Sequence, residues 1–386
     1  MSEVARMPMQ DRAGDADATQ TMPTAERGLD AGFLWDFWYP AARSLAIRGR
    51  ALQKAMLLEI PLVLGRTDKG KAFAMRDSCP HRGIPLSYGR CDGKNVECSY
   101  HGWKFDGCSG QCVEIPSLTS QDKLKVERIF AGHYPCEEHD GYVWVYMNEN
   151  RLPRKAAATQ DRTIDGVSAP PNLVTFSETY KSTHLECDLP SHVDQGIIGL
   201  MDPAHGPFVH QSWFWRSKKS IHEKAKQFEP IPFGFRMSTH SPSTNSAPYQ
   251  LLKRMTGAPV TTTIDFVLPN MRTEEIRSGK LWFSSLTTVT PVRRDLSRID
   301  FLAAWNVPLP VTIFRVFAKT FLKQDQQTMI QQAEGLKHNP RLMLIDDADR
   351  PAKWYFALKA NLIEARRTGA EMAHPMDGPV TLRWRS

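Results

Sequence analysis

The sequence predicts an α+β protein in two parts: an all-β N-terminal domain, then a domain combining an antiparallel sheet with helices. Three observations carry this. Residues 33–150 hold short apolar or alternating runs, among them 55–65 and 141–147, separated by Gly, Asp and Pro turns. Charged and small residues dominate 151–170, which reads as a linker. Beyond it, strand-like runs at 173–183, 260–268, 281–289 and 299–307 mix with helical periodicity at 193–205 and 314–336. The expected division is a disordered arm over 1–30, a β domain over 31–150, the linker, and a second domain over 171–386.

Length and composition agree with two cores. The chain has 386 residues, 41% of them hydrophobic, and ten tryptophans. It has no run of 18 apolar residues, so a membrane span is not expected. Residues 1–27 lack the apolar stretch of a secretory signal and do not read as a transit peptide. Seven cysteines, an odd number scattered without a framework, suit a reducing cytoplasm. A peripheral place at a membrane surface is the alternative location. The net charge of +7 is spread along the chain, and its densest cluster, Arg216-Ser217-Lys218-Lys219, is short. Nucleic-acid binding is therefore not expected. A mildly basic face suits an acidic electron-transfer partner or an anionic membrane, and equally an ordinary solvated surface.

Within the β domain, Cys79-Pro80-His81 is followed after sixteen residues by Cys98-Ser99-Tyr100-His101. Each half pairs one Cys with one His. Two thiolates on one iron and two imidazoles on the other describe a Rieske [2Fe–2S] centre, whose potential lies above that of an all-Cys cluster. Gly83, Gly89, Gly93 and Gly102 supply the backbone freedom for loops that turn N–H groups toward sulfur. A Cys₂His₂ zinc site is the competing assignment, but zinc fingers pair like ligands at short spacing, C-x₂₋₄-C then H-x₃₋₅-H. The segment from Cys108 to Cys112 reads as a Gly-bearing hairpin rather than a metal site.

A second constellation is Asp202-Pro203-Ala204-His205-Gly206-Pro207-Phe208-Val209-His210. Asp202 and His205, three apart, share one face of a helix. Gly206-Pro207 is expected to break that helix straight after His205 and let His210 swing back. Two imidazoles and one carboxylate make the facial triad of non-haem Fe(II) sites that activate oxygen. Asp325 is the expected third ligand, because Phe317, Phe321, Asp325 and Met329 recur every four residues and place an acid on an apolar stripe. Asp346, Asp347 and Asp349 are weaker rivals in a polar turn. His184, Glu186 and His192 form another possible set, assigned here a structural role.

With these residues in view, the chain resembles the oxygenase (alpha) subunits of Rieske non-haem iron oxygenases. The likeness runs from Trp38-Tyr39-Pro40 to the C-terminal helix and rests on CPHRGIPLSYG…CSYHGWKFDGCSGQC and DPAHGPFVH. It implies a Rieske domain followed by a helix-grip catalytic domain. Respiratory Rieske proteins carry an extra disulfide whose two places hold Ile84 and Tyr100 here, which points to the oxygenase branch and a lower potential. The resemblance further implies a head-to-tail homotrimer, with His101 of one subunit near His205 of the next and Asp202 between them as the bridging catalytic residue. It implies one [2Fe–2S] cluster and one mononuclear Fe(II) per chain, with O2 as co-substrate. The reaction would be hydroxylation or oxidative demethylation, with cis-dihydroxylation as the alternative. The segment 339–359 looks like that of single-component-type oxygenases, which favours the first.

The sequence has no GxGxxG loop and no C-x₄-C-x₂-C pattern, so a separate ferredoxin or NAD(P)H-dependent reductase is expected to deliver electrons. An apolar aromatic or polycyclic, terpenoid- or steroid-like substrate fits Trp213, Phe214 and Trp215, with 241–263 as a roof; core packing is the alternative for those aromatics. The apolar stretch 310–317 is expected to lie beneath the sheet, a lipid-gathering surface patch being the rival. An electron carrier or redox sensor without turnover is the functional alternative, and a second domain of this size argues against a carrier.

Overall fold

The structure is a computed structural model that describes residues 20–21, 32–148, 169–210, 221–241 and 247–386. Most of 1–30, the linker, Trp213–Trp215 as a group and the Arg216–Lys219 cluster lie outside these residues, as does part of the 241–263 segment. Gln20–Thr21 pairs antiparallel with Met343–Leu344.

Three small antiparallel sheets build the N-terminal part. One runs His133–Tyr134, Ala72–Arg76, Ile60–Arg66, Gln53–Leu57; another runs Cys136–His139, Tyr142–Met147, Phe37–Arg43. The third runs Arg90–Cys91, Asn95–Glu97, Lys104–Asp106, Cys112–Glu114. The expected hairpin at 108–112 is present, joining Lys104–Asp106 to Cys112–Glu114. The apolar run at 55–65 lies in the hairpin Gln53–Leu57 and Ile60–Arg66. An uninterrupted apolar run conceals a reversal when a distant partner holds the turn. Leu58 and Glu59 both take positive φ, and their amides donate to Pro291 O (2.9 Å) and Val292 O (3.0 Å) of the second domain.

The second part is an eight-stranded antiparallel sheet in the order Lys181–Leu189, Leu296–Trp305, Leu281–Arg293, Met271–Ser278, Thr261–Val267, Gly234–His240, Glu223–Ile231, Val380–Arg385. Helices α1 (Val193–Met201), α2 (Gly206–Val209), α3 (Ala247–Thr256), α4 (Val311–Leu336) and α5 (Arg350–Thr368) accompany it. The run at 173–183 is strand only from Lys181. Its earlier part is anchored irregularly, with Leu173 N–H donating to Asp140 Oδ2 (2.7 Å) and Phe176 edge-on to Trp282.

Alternation along each strand divides the sheet into two faces. Trp282, Leu286, Leu302 and Ala304 pack against Trp38, Tyr142 and Trp144 of the N-terminal part. Each such aromatic removes on the order of 200 Å² from water, about 5 kcal/mol of transfer free energy before ordering entropy. The other face meets the helices. Phe314 of α4 sits against Phe283, Phe301 and Trp305, and Trp354 of α5 against Phe228 and Phe235. In α1, Gly196 allows the helix to approach this face closely: a Cβ there would lie 2.7 Å from Val289 Cγ1. A buried ion pair fastens α5 to α1, with Lys359 Nζ 2.7 and 2.8 Å from the Asp194 carboxylate oxygens and 2.9 Å from Gly32 O. Tyr355 donates to the same carboxylate. Among the described residues no helix is long and apolar enough to cross a membrane.

Candidate iron sites

The two loops that carry the Cys/His pattern are near copies. Cys79 N–H donates to Ile84 O (2.9 Å) and Gly83 N–H to Cys79 O (2.8 Å). Cys98 N–H donates to Trp103 O (2.8 Å) and Gly102 N–H to Cys98 O (3.0 Å). Both glycines take positive φ, +73° and +69°, which a residue with a Cβ tolerates poorly. The cysteines are buried and the histidines exposed, so the paired loops present imidazoles outward and keep sulfur inside. His81 and His101 rings lie 4.6 Å apart, His81 stacks on Trp103, and Tyr100 lies against His101. Burial, with the Cys98 thiol alongside, pushes the Cys79 thiol up to about 11. Burial of the two sulfurs side by side disfavours a bare thiolate, and a bound cation such as the iron of a cluster would offset that cost. The buried indole N–H of Trp103, which has no protein partner, adds a spare donor beside them. Cys79, His81, Cys98 and His101 therefore fit an iron–sulfur cluster.

The second group is His205, His210 and Asp325, whose ligand atoms all lie within 4.8 Å of one another. Its local construction differs from the expected one. α1 stops at Met201 with Asp202 as its C-cap, and His205 is the N-cap of α2. Gly206-Pro207 thus opens a new one-turn helix rather than breaking the first, because proline at an N-terminal helical position costs no hydrogen bond. Asp202 and His205 meet without sharing a helix. His205 Nδ1 lies 2.8 Å from the Asp202 carbonyl and 3.6 Å from its carboxylate, which accepts Ala204 N–H at 2.7 Å.

His210 Nδ1 lies 3.1 Å from Gln324 Oε1 on α4. Both Nδ1 atoms face oxygen acceptors, so both carry the hydrogen and both Nε2 atoms present lone pairs. These Nε2 atoms approach to 3.1 Å, and Asp325 Oδ1 is 3.2 Å from that of His210. Three electron-pair donors converging with no proton between them repel unless a cation lies among them. The trio fits a mononuclear metal ion.

The stripe that pointed to Asp325 is drawn differently. Phe317 is 37% exposed; the buried residues of α4 are Leu322 and Met329, which flank Asp325 at helical spacing. The stretch 310–317, expected beneath the sheet, divides: Phe314 packs there while Ile313 and Val316 are exposed. The rival acids are occupied elsewhere. Asp346 pairs with Lys353 and Arg350, Asp347 accepts Arg383 N–H, and Asp349 accepts Ile345 N–H. His184 bonds Asp140 O at 2.7 Å and His192 Nδ1 accepts Asp194 N–H, so these two face different neighbours. His184 and Glu186 lie on the strand positions alternate to Leu185 and Cys187, away from the helices.

Two contributors escaped the sequence reading. Gln324 precedes Asp325 and shares its helix face with Phe321, whose ring lies edge-on to His210; a polar residue beside the ligand was its signal. The Asp202 carbonyl that orients His205 has no sequence signal, since every residue has one.

The Rieske [2Fe-2S] domain family matches residues 37–128. The chain is 34% identical over 197 residues to chlorophyllide a oxygenase of Chlamydomonas reinhardtii, covering 49% of this chain and 27% of that protein. It is 36% identical over 185 residues to the 3-chlorobenzoate-3,4-dioxygenase oxygenase subunit of Comamonas testosteroni, covering 46% and 38%. The chain thus spans well under half the length of these curated relatives. The solved structure of Pseudomonas putida CBB5 NdmA with caffeine superposes with a TM-score of 0.69 at 17% identity, over 86% of this chain and 92% of that one. The chain therefore carries a Rieske [2Fe–2S] domain over residues 37–128, and its fold as a whole is that of the NdmA structure.

Proposed function

We propose that this chain is the terminal oxygenase component of a multi-protein system, taking electrons from a separate ferredoxin or reductase and inserting oxygen into an organic substrate. The observation that carries the reading is the convergence of His205 Nε2, His210 Nε2 and Asp325 Oδ1 in a chain that also holds the Cys79, His81, Cys98 and His101 loops. When bound, the cluster supplies single electrons and the mononuclear iron a place to activate dioxygen. The protein's part is orientation. The Asp202 carbonyl and the Gln324 amide oxygen hold the two imidazoles in the Nδ1–H form, leaving Nε2 free to bind. The Asp202 carboxylate, standing off His205 at 3.6 Å and one-third exposed, remains available to a histidine of a neighbouring subunit. In a head-to-tail trimer that histidine would be His101.

Hydroxylation or oxidative demethylation is the favoured outcome. The caffeine held by the NdmA structure, a heterocycle with methyl groups on nitrogen, supports it. The relative named as a dioxygenase keeps cis-dihydroxylation as the second reading. Iron counting tests the assignment first. The anaerobically purified protein should hold three irons per chain, two in the cluster and one at the trio, and Asp325→Ala should hold two with its cluster absorbance unchanged. Two irons in the wild type would leave only a carrier. Oxygen uptake followed together with product mass and formaldehyde, using a surrogate ferredoxin and reductase, then separates the reactions.

A further inference from the structure

The helix-facing side of the large sheet is apolar at both ends and carries a polar group among the apolar residues of its middle strands. Phe283, Phe301 and Trp305 are covered by Phe314 of α4, and Phe228 and Phe235 by Trp354 of α5. Between them, register places Arg272 opposite Thr287 and Glu274 opposite Ser285, all on that same face. Arg272 Nη1 lies 3.0 Å from Glu274 Oε2, and both side chains are about four-fifths buried, with exposures of 18% and 19%. Thr262 is on the same face, diagonal to Glu274 through Ile264, and 3% exposed, and its hydroxyl has no partner. A largely buried ion pair and an unpartnered buried hydroxyl are costly in an apolar interior unless something further satisfies them.

Resting on the function proposed above, we propose that Arg272, Glu274 and Thr262 receive the polar end of the substrate, and that this end is neutral. The pair carries no net charge. One guanidinium N–H is engaged with Glu274, which leaves other donors for a carbonyl or hydroxyl oxygen and one carboxylate oxygen for a hydroxyl or amide hydrogen. A substrate carboxylate at this place would meet Glu274 at close range. Strand Met271–Ser278 is three strands from Lys181–Leu189, against which Asp325-bearing α4 packs through Cys187 and Leu322. Three strand spacings are about 14 Å, longer than one benzene ring. A molecule oxidised at the trio and held at Arg272 is therefore longer than a single ring, and a fused tricycle serves as its probe.

Binding to the purified full chain, measured by isothermal titration without turnover, tests this with four probes: 2-hydroxyphenanthrene, phenanthrene, phenanthrene-2-carboxylate and phenol. Wild type should bind the hydroxylated tricycle at least tenfold more tightly than any of the others. Glu274→Gln, which frees Arg272, should raise affinity for the carboxylate about tenfold; Arg272→Met should abolish the preference for hydroxyl over hydrogen. An unchanged ranking in both variants, with circular dichroism and iron content preserved, would overturn the proposal, as would a wild type that binds none of the probes. His205→Ala, which removes an iron ligand, separates the two readings. If it retains the same ranking while the wild type shows no oxygen uptake, the inference stands and the proposed function fails. Oxygen uptake by a wild type whose selectivity neither variant alters has the opposite meaning.

Discussion

Replacing Gln324 with leucine removes the acceptor for His210 Nδ1–H and leaves the ring's shape, burial and packing on Phe321 in place. The lost contact, 3.1 Å long and partly buried, is an ordinary neutral hydrogen bond of about 1 kcal/mol. Its effect on metal binding should be larger. Without an acceptor at Nδ1 the imidazole is free to carry its hydrogen on Nε2, the atom that faces His205 and Asp325. Partners of this kind tune metal affinity by about 10- to 100-fold, or ~1.4–2.7 kcal/mol. The assay is competition for Fe(II) at the mononuclear site with a chelator of known affinity, with cluster absorbance as internal reference. Gln324→Leu should lose affinity in that range, while Gln324→Glu, which keeps an acceptor oxygen, should stay close to wild type. Wild-type affinity in the leucine variant, or equal loss in both, would refute the tautomer argument.

Asp202→Asn should leave both metals bound, because the backbone carbonyl rather than the carboxylate holds His205, yet slow single-turnover oxidation sharply; undiminished turnover would remove Asp202 from the electron path. Lys359→Met strands the buried Asp194 carboxylate and should cost about 3–5 kcal/mol in urea unfolding, most of it recovered when Asp194→Leu is added; equal cost in single and double variants would contradict the pairing. His133 gives an acid limb. Burial, reinforced by Lys71, holds its imidazole down to about 4 in the folded chain, so it folds neutral. The stability it contributes is complete above pH 6.5 and is lost as pH falls toward 4, on the order of 3 kcal/mol in all. His133→Gln should flatten that limb between pH 6.5 and 4, and an unchanged slope would rule out the histidine as its source.

Local signals were read correctly where the physics is local. The cluster loops repeat Cys with Gly four residues on, and a positive φ at Gly83 and Gly102 follows from that spacing. The strand at Tyr142–Met147 follows from a short apolar run bounded by turn residues, and the long helix α4 from periodicity. The strands at 223–231, 234–240, 271–278 and 380–385 were not foreseen, nor were α3 and the extent of α5. In Glu223–Ile231 charged residues fall on both faces and Phe228 alone is buried, so the strand leaves little hydrophobic trace. The same weakness hid Arg272 and Glu274, two charges two residues apart whose common face is set only by pairing with 281–293.

Taken alone, the sequence pointed to the candidate ligands, the two-domain order and the pairing of one Cys with one His in each Cys/His loop, because these depend on neighbours within a few residues. The tertiary structure brought Asp325, the carboxylate expected from the sequence, to His205 and His210, and decided that Gln324 and the Asp202 carbonyl orient their rings and which strand face meets the helices. The contact between His210 and Gln324 depends on packing between segments more than a hundred residues apart, and the strand faces depend on register. Alternation guarantees that a strand has two faces; only the elements stacked on it decide which one becomes the interior.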